Sequence, residues 1–193
     1  MSKLRLQVVI ASTRPGRLGL PIGNWVYEQA KSSSEFDVEL VDLVDYNLPL
    51  LDEPRPASSR QYANEHTLQW SQVVSRADAF VFVTPEYNHG INAAFKNALD
   101  YLYYEWALKP ATFVSYGGMS AGMRAVQQAK QVLAALRVYP LTDAVPIPNV
   151  ASRIDDDGKF RSDSKLDAGL GKALTELHRV AGGLLPLRSP NQG

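Results

Sequence analysis

Three short stretches of this chain carry residues able to hold or transform a ligand. The first is Ser12–Gly19, STRPGRLG. Hydroxyls at Ser12 and Thr13 stand beside the guanidinium of Arg14, and Arg17 adds a second positive charge. Arginine grips phosphate oxygens bidentately, and glycines at 16 and 19 let the main chain approach a bound group closely. The second stretch is Pro85–Gly90, PEYNHG. Pro85 fixes the chain direction, and Asn88 and Gly90 accept unusual dihedrals. Tyr87 offers an aromatic face, and main-chain amides around Glu86–Asn88 suit the polar rim of a planar ring. The third is Ser115, Gly117 and Gly118 in SYGG. Small residues there let the flat edge of a ligand reach main-chain N–H groups.

Two further side chains invite chemistry. His89 invites general acid–base work, but a histidine in such a turn is more often a structural hydrogen-bonder, and it is read here as scaffold. Glu86 is either a charge at a helix N-terminus or the partner of a nearby arginine. No side chain is assigned as catalytic. No metal site is expected: there is no cysteine, and His66, His89 and His178 are too far apart for a helical metal motif. The first stretch is neither GxxxxGK[ST] nor GxGxxG, which argues against the standard nucleotide loops.

These stretches need elements to position them. Leu4–Ala11 reads as a buried strand running into STRPG, and Gly19–Lys31 as a helix with Pro21 in its first turn. Asp37–Val44 alternates as a second strand, and the proline-rich Asn47–Pro56 continues neither element. Ser58–Arg76 reads as an amphipathic helix. Ala79–Thr84, AFVFVT, is apolar on both faces, as a central parallel strand should be. A helix over Asn92–Tyr103, a strand over Pro110–Ser115 and a helix over Met123–Leu136 follow. Tyr139–Val145 is expected as the last strand, Asp155–Asp163 as a loop, and Leu166–Ala181 as a helix ending at Gly182–Gly183. Alternating strands and helices imply an α/β doubly wound parallel sheet. Its ligand crevice lies at the carboxyl ends of the strands, where all three stretches fall.

The chain has 193 residues, 45% hydrophobic and 21% charged, the profile of one soluble domain spanning 1–193. Lys+Arg and Asp+Glu are equal at 20 each, which argues against a dedicated nucleic-acid binder. No apolar run is long enough for a membrane span, so a cytoplasmic protein is expected. The aromatic cluster Tyr101, Tyr103, Tyr104 and Trp106 is either core or a subunit interface.

STRPGR, PEYNHGINAAFKNALDYL and SYGG together resemble the NADPH-dependent FMN reductase family, which includes quinone, azo-dye and chromate reductases. VDLVDYNLPLLDEP is similar to that family's second-strand exit. The resemblance implies a flavodoxin-like three-layer α/β/α fold with a five-stranded parallel sheet of order 2-1-3-4-5. It implies non-covalent FMN and a hydride from NADPH, with NADH as the alternative donor, passed to a small-molecule acceptor in a ping-pong cycle. Ser12, Thr13, Arg14, Arg17 and Gly19 would hold the phosphate end. Pro85, Glu86, Tyr87 and Asn88 would line the ring, and Ser115, Gly117 and Gly118 would close its pyrimidine side. A homo-oligomer, tetramer or dimer, is expected. The rival readings are a flavodoxin-type electron carrier, which neutral charge and Arg14 disfavour, and a nucleotide-binding module without redox work.

Overall fold

Strands fully buried on both faces dictate the architecture. In the computed structural model, which describes residues 3–33 and 35–188, every residue of β3 (Ala79–Pro85) and β4 (Pro110–Tyr116) is buried. Such strands must sit in mid-sheet with helices on either side. They do: β1 (Leu4–Ile10), β2 (Phe36–Asp42), β3, β4 and β5 (Tyr139–Pro140) pair in parallel in the order β2-β1-β3-β4-β5. A sixth strand, β6 (Val145–Ile147), also pairs with β4 in parallel. This is the flavodoxin-like order expected, with one strand added.

The strand period of two splits the core. Phe80, Phe82 and Phe113 face one layer, with Trp70, Phe95, Leu99 and Leu133. Those residues belong to α3 (Glu65–Ser75), α4 (Ala93–Asp100) and α5 (Met123–Ala135). Val81, Val83 and Val114 face the other, with Ile22 and Val26 of α1 (Gly19–Ser32) and Leu170 and Leu174 of α6 (Ser164–Leu184). Gly23 allows α1 to seat on β1: a Cβ there would lie 2.5 Å from Ile10 Cγ1.

Several boundaries differ from the sequence expectation for local reasons. β2 stops at Asp42 because its carboxylate accepts from Val44 N–H at 3.2 Å and starts the short helix α2 (Leu43–Tyr46). A left-handed Asn47, φ 41°, ends that helix. α3 begins only at Glu65: the Glu53 carboxylate holds the amides of Ala63 and Asn64, at 2.8 and 3.0 Å, outside the helix. The expected last strand splits into β5 and β6, each containing a proline that cannot donate to a ladder. α6 starts earlier, capped by Asp163 on Leu166 N–H at 2.9 Å, and runs through Gly182–Gly183. Ile154 and Phe160 bridge across the expected loop over Asp155–Asp163.

The aromatic cluster divides. Tyr101 and Trp106 are core, as is Trp70, while Tyr103 and Tyr104 remain partly exposed. Trp70 and Trp106 donate to the carbonyls of Ala98 and Leu99, at 2.9 and 3.2 Å, and so satisfy the end of α4. Among the described residues, no helix is long and apolar enough to cross a membrane and no acidic–histidine group could hold a metal.

At the sheet edge opposite the three loops, Lys109 is buried. Its Nζ donates to the carbonyls of Val74 and Ser75, at 2.8 and 3.2 Å, in the last turn of α3. Burial, and then the Arg188 charge, push the ammonium down to about 7, against the pull of Asp78 and Glu105. An unfolded chain keeps this proton to about pH 10.4. Between those values the unfolded state binds more protons, so the lysine's penalty on folding shrinks as pH rises. Relative to Lys109→Met, the native protein should gain about 2 kcal/mol from pH 7 to pH 9. Urea unfolding of both proteins at the two pH values measures it; a pH-independent difference would contradict the depressed value.

Candidate functional site

All three ligand-bearing loops leave the same edge, because β1, β3 and β4 run parallel. A tight contact joins the first to the last. Ser12 Oγ lies 3.0 Å from Tyr116 Oη, both buried. Gly19, the first residue of α1, packs on the pair: a Cβ there would lie 2.5 Å from Ser12 Oγ and 2.8 Å from Tyr116 Oη. Burial pushes the Tyr116 phenol up to about 12, against the smaller pull of Ser12, so it stays protonated at neutral pH.

Residues 13–16 of the first loop are exposed and carry the Arg14 charge. No side chain caps α1 at Leu18, and its first turn holds no acid. Free N–H groups and the positive helix end therefore face outward, a ready anion site. Arg17 turns back: its guanidinium pairs with Asp42 at the end of β2, and its buried Nε has no partner. Arg14 makes no ion pair among the described residues. Its guanidinium carbon instead lies 5.7 Å from the centroid of the Tyr87 ring, so the first loop touches the second. Thr13 is exposed and lines a cavity of about 290 Å³ with Leu43, Val44, Asn47 and Leu48.

The second loop is a tight reversal. Tyr87 N–H donates to Gly90 O at 3.1 Å, and Gly90 N–H returns to Tyr87 O at 3.0 Å. Between them Asn88 and His89 are both left-handed, φ 48° and 68°. That is the signature of a type I′ turn. Asparagine and histidine tolerate the region better than most residues, yet each such residue costs on the order of 1 kcal/mol or more. Surrounding structure must hold the turn, and α5 does so. Gln128 Oε1 accepts from Ile91 N–H at 3.1 Å, and Glu86 Oε2 accepts from Arg124 N–H at 3.0 Å. The Arg124 guanidinium also pairs with Glu86. Burial pushes the Glu86 carboxyl up, but the bonds from Arg124 and Ser120 outweigh it and hold it below the usual carboxylate value. Beyond the turn, Asn92 caps α4 through Phe95 N–H at 3.0 Å.

The third loop closes the opposite wall. Glu86, Asn88 and His89 face Gly117, Gly118, Met119, Ser120 and Arg124 across a cavity of about 580 Å³. That is within the range of sites for small ligands and cofactors. The loop is fixed from inside. Ser115 Oγ donates to Ala121 O at 2.8 Å, and Gly117 N–H to Ile147 O at 3.3 Å. The carbonyls of Gly117 and Gly118 accept from Val150 and Asn149, each at 3.1 Å. Gly118 is exposed to the cavity, whereas Ser115 is buried.

The residues singled out in the sequence thus fall into two sets. Thr13, Arg14, Tyr87, Asn88, Gly117 and Gly118 lie at the exposed ends of the three loops. Ser12, Arg17, Gly19, Pro85, Glu86 and Ser115 shape the loops through buried contacts. Sequence reasoning passed over Tyr116, Gly122, Arg124 and Gln128. Gly122 had a signal in SAGM. Arg124 and Gln128 had none, being 38 and 37 residues from their partners.

Gly122 is the most demanding glycine here: φ is 79°, and a Cβ would sit 2.9 Å from both Tyr116 N and Tyr116 O. Gly122→Ala should lose about 2–4 kcal/mol, the sum of left-handed strain and overpacking. Gly118→Ala should lose less than about 1 kcal/mol, because a Cβ there meets nothing within 4 Å. Urea denaturation of both variants reads the contrast; equal losses would contradict it.

The sequence profile of the NADPH-dependent FMN reductase family matches residues 4–152. An NAD(P)H-dependent FMN reductase of Schizosaccharomyces pombe is 45% identical over 148 residues, covering 75% of this chain and 74% of that one. A quinone reductase of Pseudomonas putida is 29% identical over 167 residues, covering 82% and 85%. In fold, the structure is similar to the flavoenzyme NAD(P)H:(acceptor) oxidoreductase FerB of Paracoccus denitrificans. The TM-score is 0.75 at 21% identity, covering 93% and 98% of the two chains. The three loops at one sheet edge, and a sequence that matches over most of their span, make this chain a member of the NADPH-dependent FMN reductase family, an oxidoreductase.

Proposed function

We propose that the protein moves a hydride from NAD(P)H, by way of bound FMN, to a small-molecule acceptor of the quinone class. One observation carries the reading. Arg14, unpaired and at the uncapped start of α1, leans on Tyr87 of the loop that walls the 580 Å³ cavity. An anion site and a ring-sized cleft thereby stand side by side, as a flavin mononucleotide requires. The relatives named as quinone and FMN reductases support the acceptor class.

In this reading Thr13, Arg14 and the first-turn amides of α1 hold the phosphate. Ser12, Arg17 and Gly19 keep that loop in place. Pro85, Glu86, Tyr87 and Asn88 flank the ring, with Gly117 and Gly118 opposite and Ser115 bracing them. FMN supplies the redox chemistry, accepting and releasing the hydride. The chain's own work is to orient the ring and exclude water from one face. It also leaves the other face open to donor and acceptor in turn, which gives ping-pong kinetics. We take 1–193 as one domain, since both helical layers pack on one sheet. We place it in the cytoplasm, where the NAD(P)H pool is. Exposed Leu50, Leu51 and Val44, 81%, 49% and 40% accessible beside the smaller cavity, favour a homo-oligomer.

Arg14→Ala should weaken FMN binding about 10- to 100-fold, the worth of a charge-assisted hydrogen bond, and change the hydride step less than about threefold. Fluorescence titration and stopped-flow reduction by NADPH measure the two, and unchanged FMN affinity would overturn the phosphate assignment. Light scattering should give a multiple of the 21.3 kDa protomer mass; a monomeric mass would contradict the assembly.

A further inference from the structure

We propose that His89 donates the proton that quinone reduction consumes, and so is a catalytic residue and not scaffold. This rests on the function proposed above. Reducing a quinone to its hydroquinone adds two electrons and two protons. NAD(P)H hands over one hydrogen as hydride, with both electrons, and is oxidised to NAD(P)+. The second hydrogen must arrive as a proton.

Three side chains lining the larger cavity titrate or carry charge: Glu86, His89 and Arg124. Glu86 and Arg124 are bound to each other, and Glu86 also accepts from Ser120. A carboxylate held ionised in this way has no proton to give. His89 is exposed at the rim and makes no hydrogen bond or ion pair among the described residues. The other charged groups lining the cavity are Glu86 from its own loop and Arg124 from α5; residues 117–122 carry no titrating group, and on its own turn stands the Tyr87 phenol, with Arg14 over that ring. Imidazolium and neutral imidazole differ by one proton, so this side chain can both give a proton and take one back.

The turn itself does not need the imidazole. It is closed by the main-chain bonds between Tyr87 and Gly90 and by Gln128 on Ile91. Glycine would adopt φ 68° at position 89 without strain. The scaffold role expected of a histidine in this turn would show as a hydrogen bond, and there is none. In the step inferred, an imidazolium N–H bond breaks and an O–H bond forms on the acceptor's carbonyl oxygen as the hydride equivalent arrives. Water then returns a proton to the ring.

An acceptor that takes electrons without protons separates chemistry from architecture. FMN-loaded wild type, His89→Gln and His89→Gly are reduced anaerobically with NADPH, then mixed with duroquinone or with ferricyanide from pH 5.5 to 8.5. Both variants should reoxidise with duroquinone at least about 100-fold more slowly, the low end of general-acid effects. They should also lose the wild-type fall in rate with rising pH, and ferricyanide rates should stay within about twofold. In oxidised FMN-loaded protein, where no turnover can occur, duroquinone should shift the His89 Cε1–H resonance. Unchanged duroquinone rates in both variants, equal slowing with ferricyanide, or an unmoved resonance would each overturn the proposal. Failure of NADPH to reduce the FMN-loaded wild type would instead sink the underlying function, and the proposal with it.

Discussion

The contact between Ser12 and Tyr116 governs the geometry of everything around it. β1 and β4 are not neighbours; β3 lies between them. A bond from the end of one to the end of the other therefore spans the middle strand and sets how far apart the outer two loops can stand. It forms only because position 19 lacks a Cβ. Buried and closed on itself, the pair satisfies two hydroxyls that would otherwise be costly to bury. Arg14 above it is left free to face solvent, and the cleft between the second and third loops keeps its width.

The fold was largely legible because its signals are strong and local. AFVFVT and PATFVS have no polar face to offer water, so they had to be central parallel strands, and the alternation with helical segments did the rest. The order 2-1-3-4-5 came from a resemblance and not from periodicity. What escaped was decided by contacts between distant residues. Nothing in Ser58–Asn64 says that Glu53 will take two of its amides and delay the helix. In Tyr139–Val145 the strand breaks around the polar Thr142 and Asp143, and Pro140 and Pro146 hint that it lies at an edge.

The site divides in the same way. Arg14, Pro85–Asn88 and the SYGG glycines could be picked out because their residue types are unusual at strand ends. Their individual duties could not. Ser12 and Ser115 look like ligand hydroxyls in sequence, yet each is bonded inside the protein, to Tyr116 and to the carbonyl of Ala121. Glu86 was correctly read as open to an arginine partner, but that partner, Arg124, is on a helix 38 residues away. A one-dimensional pattern identifies which loops matter; only the packing separates the side chains that face outward from those that brace them.

The two grips from α5 have a consequence for how this protein can vary. Arg124 and Gln128 stand one helical turn apart on one face of α5, and between them they hold Glu86 and the main chain of Ile91. Neither makes a hydrogen bond or ion pair with the side chain of position 88 or 89 among the described residues. The loop is thus clamped at both ends while the side chains at its tip take no part in the clamp. Substitutions at the tip that tolerate left-handed backbone can accumulate without loosening the frame. A lineage of such proteins could therefore change what it reduces faster than it changes how it folds.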